Sequence, residues 1–469
     1  MSKNKKESMM KGITVLLLSQ ISIKVIGLAY KLYLTNKEEF GDTGNAIYSS
    51  GFQIYALLLT FSSTGVPNAI SKLVSERLAV GDSKGARKIF RISFITFAIL
   101  GALGSIILFL GAKTIATKWI QIPEAEISLI CLAPSIFFVS ISSVIRGYFN
   151  GMQDFSATAK SQSFEQIFKT VFTVALVELS ILAVGRNTKI MAGAANLATT
   201  FATISSFFYV FIYYRIRKNY IDEQTENFMS YKPMRIRKTI KKIINVAFPI
   251  SISSLIASLG KSIDSFTVVR FLKLHITEEN AKIQYGILSG KVDVLCALPL
   301  SINTAFITTL VPNISKSMAK GNLKEVRRKA KLFILISILI SVPITFVMYF
   351  FSEQILTLLF PNATAGSMYL KYNSLAIVFM LLSQTVNAIL QGIGKVNVPW
   401  VSFGIGMIFK FICNVVLIPI KEIGIFGAII GNIICNIIAF IIGFTVLYKS
   451  LNFNFKIKSL KIKPILKKI

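Results

Sequence analysis

The chain has 469 residues, of which 53% are hydrophobic and only 16% charged, and its mean hydropathy is +0.64. Soluble domains carry about 25% charged residues, so this composition excludes an ordinary soluble protein. The four cysteines stand singly within apolar stretches, and the one histidine, His275, lies in a loop. These residues support neither a zinc site nor a disulfide framework, and we expect no metal or other cofactor.

Apolar stretches long enough to cross a bilayer recur along the whole chain, each with the roughly 20 residues that a spanning helix needs. The twelve stretches are 12–34, 46–70, 88–112, 126–148, 158–185, 190–214, 243–268, 284–310, 332–352, 368–390, 400–420 and 424–448. The sequence therefore predicts an all-α polytopic membrane protein with about 12 transmembrane helices.

The net charge of +31 is distributed over the loops between these spans. If the spans alternate from a cytoplasmic N-terminus, 36 Lys and Arg lie on the cytoplasmic side, 10 outside and six within spans. This asymmetry follows the positive-inside rule and predicts that both termini are cytoplasmic. The same charge would attract anionic membrane lipids, and we expect no nucleic-acid partner. The N-terminal segment lacks the features of a cleavable signal peptide.

One stretch of the sequence occurs twice. Val66-Pro67-Asn68-Ala69-Ile70-Ser71-Lys72 leads into a basic segment that begins at Gly81, and Val311-Pro312-Asn313-Ile314-Ser315-Lys316 leads into one that begins at Gly321. Gly151 and Gly392, and then Lys169 and Lys410, repeat in the same order. A repeat of about half the chain indicates two duplicated helical bundles, which is typical of transporters.

This repeat predicts the domain organisation. We expect an N-terminal six-helix bundle over 1–214, a cytoplasmic linker over 215–242 and a C-terminal six-helix bundle over 243–448. The remaining 449–469 is predicted to be a basic cytoplasmic tail.

Lysines within the predicted spans are the least expected residues, because a charge at mid-bilayer costs at least about 2.5 kcal/mol. Lys24 lies near the middle of the first span and should face a wet cavity or an anionic partner. Lys31, seven residues later on the same helical face, either reaches the outer interface or faces the same cavity. Lys169 and Lys410 occupy matching depths of the repeat, which makes the pair more informative than either alone.

Carboxylates accompany the other lysines of the spans. Lys261 and Asp264 are three residues apart and can pair within the membrane. Lys291 and Asp293 point apart on a helix, so each requires a partner of its own. Glu178 lies in the fifth span without an obvious local partner. The carboxylates either form salt bridges inside a bundle or hold a coupling cation.

Several motifs in combination resemble a known family. They are Ile23-Lys24-Val25-Ile26-Gly27-Leu28-Ala29-Tyr30, Gly65-Val66-Pro67-Asn68-Ala69-Ile70-Ser71-Lys72-Leu73-Val74-Ser75-Glu76, Arg146-Gly147-Tyr148-Phe149-Asn150-Gly151-Met152-Gln153, Ile263-Asp264-Ser265-Phe266-Thr267-Val268 and Leu390-Gln391-Gly392-Ile393-Gly394. Together they resemble the stage V sporulation protein B branch of the polysaccharide-biosynthesis flippases. This branch belongs to the superfamily of multidrug, oligosaccharidyl-lipid and polysaccharide exporters and is related to the lipid II flippases.

The resemblance covers nearly the whole chain and implies two six-helix bundles around a V-shaped central cavity. It implies a flippase of the bacterial cell membrane, rather than an enzyme. The substrate would be an undecaprenyl-pyrophosphate-linked saccharide (a peptidoglycan precursor or polysaccharide repeat unit), moved from the inner to the outer leaflet by alternating access. Many relatives carry two further helices that form part of a groove for the lipid tail, and the twelve spans counted here do not include them.

A cavity lined by lysines would suit the pyrophosphate, since lysine binds phosphate as a point charge. The candidate substrate-binding residues are Lys24, Lys31, Lys169, Lys261, Lys291 and Lys410. The sequence has no nucleotide-binding motif, so transport would draw on ions or the membrane potential, with Asp264, Asp293 and Glu178 as candidate coupling residues.

Two alternative functions remain open from the sequence. A cation-coupled multidrug exporter would favour a cavity rich in carboxylates and aromatic rings. A membrane-embedded glycosyltransferase or acyltransferase would need clustered His, Asp or Glu at a membrane face, and the single loop histidine argues against it.

Overall fold

A computed structural model of the protein describes residues 22–23, 25–60, 66–79, 81–225, 236–319 and 321–451, and all regular elements within them are helices. In chain order these are α1 (25–36), α2 (Gly41–Thr60), α3 (Val66–Ala79), α4 (Ser83–Thr114), α5 (Ala125–Gly151), α6 (Phe155–Val184), α7 (Thr188–Thr225), α8 (Ile236–Leu272), α9 (Glu278–Ile287), α10 (Asp293–Ala319), α11 (Leu323–Phe350), α12 (Ser352–Leu359), α13 (Ser367–Asn373), α14 (Leu375–Gly392), α15 (Val398–Leu417) and α16 (Phe426–Leu451). Two π-helical segments, Ile115–Ile120 and Leu288–Val292, extend α4 and join α9 to α10.

Nine helical stretches in the described part of the chain are long and apolar enough to cross a membrane. They confirm an all-α polytopic membrane protein. The remaining predicted spans coincide with α1, with α2 and α3, and with α8, which are not among these nine. Large apolar side chains on α4, such as Ile107 and Leu110, are 67% and 74% exposed, as expected for a surface that faces lipid.

Much of the predicted linker is helical. Helix α7 continues to Thr225 and α8 begins at Ile236, so both helices run beyond the predicted span edges at 214 and 243. Lys, Arg, Gln and Glu are good helix formers, and backbone hydrogen bonding therefore continues into the polar segment. Hydropathy marks where a helix leaves the apolar layer, and the helix itself ends later.

The repeat seen in the sequence recurs as local geometry where α3 leads into α4 and α10 into α11. Gly81 and Gly321 both adopt positive φ angles, 78° and 67°, which glycine tolerates without strain. The residues that follow, Asp82 and Asn322, each accept a hydrogen bond from the backbone N–H three residues on, at 2.7 and 3.0 Å. The two copies therefore end one helix and cap the next in the same way.

The helices pack into two lobes, which we call the N-half (25–225) and the C-half (236–451). In the N-half, α5 packs against α2, α3, α4 and α7, and in the C-half α14 packs against α10, α11 and α16. Between the halves, α2 contacts α8 and α9, and α3 and α4 also contact α8.

Buried apolar residues join the halves at one end of the described structure. The largest cluster combines Leu34 and Phe40 of the N-half with Tyr285 and Phe360 of the C-half. The second cluster lies in the N-half apart from Ile243, at the start of α8, and the third lies entirely in the C-half. This is the arrangement of a V-shaped, two-lobed protein. We call the joined region, formed by the turns at 37–40, 273–277 and 360–366, the closed end.

Candidate functional site

Two lysines of the N-half lie around one group of aromatic rings. The Nζ atom of Lys31, on α1, is 4.6 Å from the ring centre of Tyr48. The Nζ atom of Lys169, on α6, is 4.2 Å from the ring centre of Phe52 and 5.1 Å from that of Tyr30. The hydroxyl oxygens of Tyr30 and Tyr48 are 3.3 Å apart, and the rings of Tyr48 and Phe52 stack with 5.7 Å between centres. We call these five residues the two-lysine site.

Both ammonium groups of this site are buried. Lys31 is 4% exposed and Lys169 is 8% exposed. The Nζ atom of Lys31 has no hydrogen-bond partner among the described residues. The face of an aromatic ring attracts a cation by about 0.5–2 kcal/mol. That offsets only part of the several kcal/mol needed to take a charge out of water. The charge of Asp42 also acts on Lys31, but Asp42 is paired with Lys291.

The carboxylates on α6 are paired with other cations. The Oε2 atom of Glu165 accepts a hydrogen bond of 2.8 Å from Arg146, which is buried and also donates to two serine hydroxyls. Glu178 pairs with Lys37 and accepts a hydrogen bond of 2.5 Å from the hydroxyl of Tyr33. Lys169 lies between these two carboxylates in the sequence, but both are paired elsewhere, and the Nζ atom of Lys169 lies against the rings of Phe52 and Tyr30.

A buried ion pair joins the two halves at the closed end. Lys291, in the second π-helical segment, is fully buried, and its Nζ atom is 2.7 Å from Oδ1 of Asp42 on α2. The same ammonium group donates to the carbonyl oxygens of Ala363 and Ala365, at 2.7 and 2.8 Å. The pair is therefore completed by the loop between α12 and α13.

Two glycines allow this approach of the halves. A Cβ atom on Gly286 would lie 1.8 Å from the carbonyl oxygen of Asp42, and one on Gly290 would lie 2.6 Å from the Cβ atom of Asn45. Only glycine leaves room for α2 at these positions, as in other close helix crossings. The spacing of these glycines, Gly286 to Gly290, thus brings Lys291 within reach of Asp42.

The C-half contains a second buried cluster of charged groups. Lys410 on α15 donates to Oδ2 of Asp264 on α8 at 2.7 Å. The side-chain amide of Asn414 donates to Oδ1 of Asp264 at 2.9 Å and to the hydroxyl of Thr267 at 2.8 Å. The partner of Asp264 is thus Lys410, whereas the charge of Lys261 acts on Asp293. This cluster balances its positive and negative charges, and the two-lysine site does not.

Known protein families match most of the chain. Residues 9–318 match the family described as polysaccharide biosynthesis protein, which is more than half of the sequence. The chain belongs to this family. Residues 249–416 also match the family described as MatE.

Individual relatives within and beyond the family support this assignment. The lipid II flippase MurJ of Bacillus subtilis (strain 168) is 26% identical over 468 residues, covering 96% of this chain and 84% of the relative. The stage V sporulation protein B of the same organism is 25% identical, covering 97% of this chain and 86% of the relative. A solved structure described as the inward-facing conformation of a multidrug resistance MATE family transporter superposes with a TM-score of 0.75. At 16% identity over 93% of this chain and 98% of that one, it shows a shared two-lobed transporter fold.

Within this family fold, the six lysines predicted to bind substrate have different surroundings. Lys31 and Lys169 come together in the two-lysine site. Lys291 and Lys410 each form a buried ion pair, and Lys261 is exposed. Lys24 lies outside the described residues.

The three predicted coupling residues divide between two places. Asp264 and Asp293 share the charged cluster of the C-half, whereas Glu178 lies near the closed end beside Lys37. Among the described residues, no group of three or more His, Cys, Asp or Glu side chains is arranged to hold a metal ion.

Several residues of these clusters were not predicted from the sequence. Asp42 lies in the first turn of α2, in a short acidic stretch of the sequence that shows no distinguishing pattern. The aromatic members of the two-lysine site carried a usable signal, because Tyr48 and Phe52 are four residues apart and share a helix face. Arg146 was visible only as part of a family motif.

Proposed function

We propose that this protein is a flippase that carries a polyprenyl-pyrophosphate-linked saccharide, with undecaprenyl as the lipid, from the inner to the outer leaflet of the bacterial cell membrane. The observation that supports this function best is the two-lysine site, where two buried lysines lie against aromatic rings. The carboxylate whose charge reaches Lys31, that of Asp42, is already paired with Lys291. The lipid II flippase among the relatives supports the substrate class.

The pyrophosphate would bind between Lys31 and Lys169. In a low-dielectric site, attraction between opposite charges is several times stronger than in water. A pyrophosphate would therefore add to the counter-charge of Asp42, which Lys31 shares with Lys291. The rings of Tyr30, Tyr48 and Phe52 keep water from the ammonium groups and offer apolar surface for the first units of the lipid. The saccharide would occupy the space between the halves while the lipid tail remains in the membrane.

Substrate exchange would follow rocking of the halves about this site, as in other transporters built from repeats. The turns of the closed end fall in loops that the charge asymmetry predicts to be outside. We therefore propose that the structure represents an inward-open form. The Asp42–Lys291 pair would hold this form until the substrate is loaded.

Energy coupling is proposed for the charged cluster of the C-half. Asp264 and Asp293 lie near each other with Lys410 and Lys261, so a coupling cation would compete with an ammonium group for a carboxylate. Glu178 is excluded from this proposal, because it pairs with Lys37 near the closed end, away from the cluster.

Flipping assays on two single variants test the proposed function. We expect Lys31→Gln and Lys169→Gln each to lower the flipping rate by about 10- to 100-fold, the effect of losing one charged hydrogen-bond donor. Lys→Arg at either position should keep part of the activity, because the charge remains. The rate is measured in proteoliposomes with a fluorescent undecaprenyl-pyrophosphate disaccharide and a membrane-impermeant quencher.

Lys160→Gln is the matched control for this test, since Lys160 is an exposed lysine on the same helix as Lys169. Its rate should equal that of the unmodified protein. Full flipping activity of both site variants would contradict the proposal. Efflux of organic cations by the same proteoliposomes would then favour the multidrug exporter that the solved relative represents.

The orientation in the membrane is a separate prediction. From the charge asymmetry we expect both termini and the linker over 215–242 to be cytoplasmic. In a chain whose four cysteines are replaced, Ser230→Cys should resist an impermeant thiol reagent added to intact cells, and His275→Cys should react with it. Labelling of position 230 without position 275 would show the opposite orientation.

A further inference from the structure

A groove on the membrane-facing surface of the N-half lies apart from the sites described above. It has a volume of about 300 Å³. Its walls are formed by Phe90 and Phe94 of α4 and by Phe211 and Tyr214 of α7, with Ile145 of α5 between them. The rings of Phe90 and Tyr214 are 5.0 Å apart, so aromatic packing supports the walls.

The groove opens toward lipid. Ile95, which also lines it, is 61% exposed, and Ile99 one turn further along α4 is 56% exposed. On α7, the helix that forms the other wall, Phe208 and Ile212 are 54% and 55% exposed. In a protein that spans a membrane, such a continuous apolar surface contacts acyl chains.

Two guanidinium groups lie at this groove. Arg91 is the one charged residue among its described lining residues, and its side chain is exposed. The guanidinium carbon of Arg215 is 5.5 Å from the ring centre of Phe211, and Arg215 is exposed as well. Guanidinium groups bind phosphate through paired hydrogen bonds, and lysine does not match that geometry.

We propose that this groove binds an anionic phospholipid of the inner leaflet. One acyl chain would lie between the aromatic walls, and the phosphate would lie between Arg91 and Arg215. The lining residues all come from the N-half, and none of them belongs to the two-lysine site. The ligand is therefore a lipid of the surrounding membrane that stays bound while the substrate is carried elsewhere.

Quenching of one tryptophan by brominated lipids tests this site. In a chain with Trp119→Phe and Trp400→Phe, which removes both native tryptophans, Ile95→Trp places a reporter in the groove. In phosphatidylcholine vesicles, we expect brominated phosphatidylglycerol to reach half-maximal quenching at a mole fraction well below that of brominated phosphatidylcholine. Each arginine should contribute about fivefold to this difference.

The repeat supplies a matched control reporter. Leu335 corresponds to Ile95 at the repeat offset of 240 residues, lies on α11 and is 39% exposed. Helix α11 also begins with a strongly basic segment, so general attraction of anionic lipid acts on both reporters. The preference for phosphatidylglycerol should be larger at Ile95→Trp than at Leu335→Trp.

Variants of the arginines complete the test. Arg91→Gln with Arg215→Gln should lower the preference for phosphatidylglycerol at Ile95→Trp to that at Leu335→Trp. Lys331→Gln, at the repeat position of Arg91, should leave the preference at Ile95→Trp unchanged. Equal quenching by the two lipids at Ile95→Trp would overturn the proposal. Displacement of brominated phosphatidylglycerol by undecaprenyl pyrophosphate would also overturn it, because the groove would then belong to the substrate.

Discussion

Replacing Lys410 by methionine is expected to lower the free energy of unfolding by about 3–5 kcal/mol, the cost of removing one member of a buried ion pair. Lys410 and Asp264 are 3% and 6% exposed, and their charged atoms are 2.7 Å apart. Methionine fills most of the lysine volume, so the effect comes from leaving the carboxylate of Asp264 with Asn414 as its remaining partner. Reversible unfolding in mixed micelles, followed during titration with dodecyl sulfate, measures the change.

Removal of both charges should restore most of the lost stability. The double variant Asp264→Asn with Lys410→Met removes both charges of this pair, and replacing a whole buried pair is often close to neutral. Lys273→Met is the control, because its pair with Glu278 is partly exposed and worth only about 0.2–1 kcal/mol. If Lys410→Met unfolds like the unmodified protein, the buried pair is not stabilising the C-half.

Lys291→Met is expected to open the closed end and to abolish flipping. The Asp42–Lys291 pair joins the halves, so its loss should destabilise the closed-end form by about 3–5 kcal/mol relative to a form without the pair. Since each 1.4 kcal/mol changes an equilibrium tenfold, the population should shift more than about a hundredfold. Asn36 and Asn362 report this shift, because the side-chain amide of Asn362 donates to the carbonyl oxygen of Asn36 at 2.7 Å across the halves.

Disulfide cross-linking between Asn36→Cys and Asn362→Cys, in a chain without native cysteines, measures the closed fraction. Lys291→Met and Asp42→Asn should each reduce cross-linking, and their combination should be little worse than either, because both remove the same pair. Lys37→Met is the control, since its partner Glu178 lies in the same half. Cross-linking that is unaffected by Lys291→Met would show that this end stays closed without the Asp42–Lys291 pair.

Sequence reasoning reached the fold class because hydropathy and charge asymmetry act over whole helices. The repeat could also be predicted from the sequence, since Gly81 and Gly321 need the same left-handed backbone and are followed by residues that cap the next helix in the same way. The helix ends were harder to predict, because α7 and α8 continue into polar residues where hydropathy no longer marks the helix.

The ion-pair partners of the charged residues could not be predicted from the sequence alone. Lys261 lies three residues from Asp264, and helical spacing favours that pair, yet tertiary packing brings Lys410 to Asp264 from 146 residues away. Lys291 likewise finds Asp42 at a separation of 249 residues. Spacing along one helix identifies possible neighbours, and only the packing of helices distant in sequence decides which charges are paired.

The core shared by the halves at the closed end has a consequence for the cell as well as for the transport cycle. A membrane that stores energy as an ion gradient cannot contain a protein with a continuous aqueous path through it. Leu34, Phe40, Tyr285 and Phe360 are all at most 1% exposed, so they form an apolar layer across both halves. In the described form, this layer would block the passage of water and small ions between the two lobes. The same residues that hold the two lobes together would thus also prevent ions from leaking through the membrane at this protein.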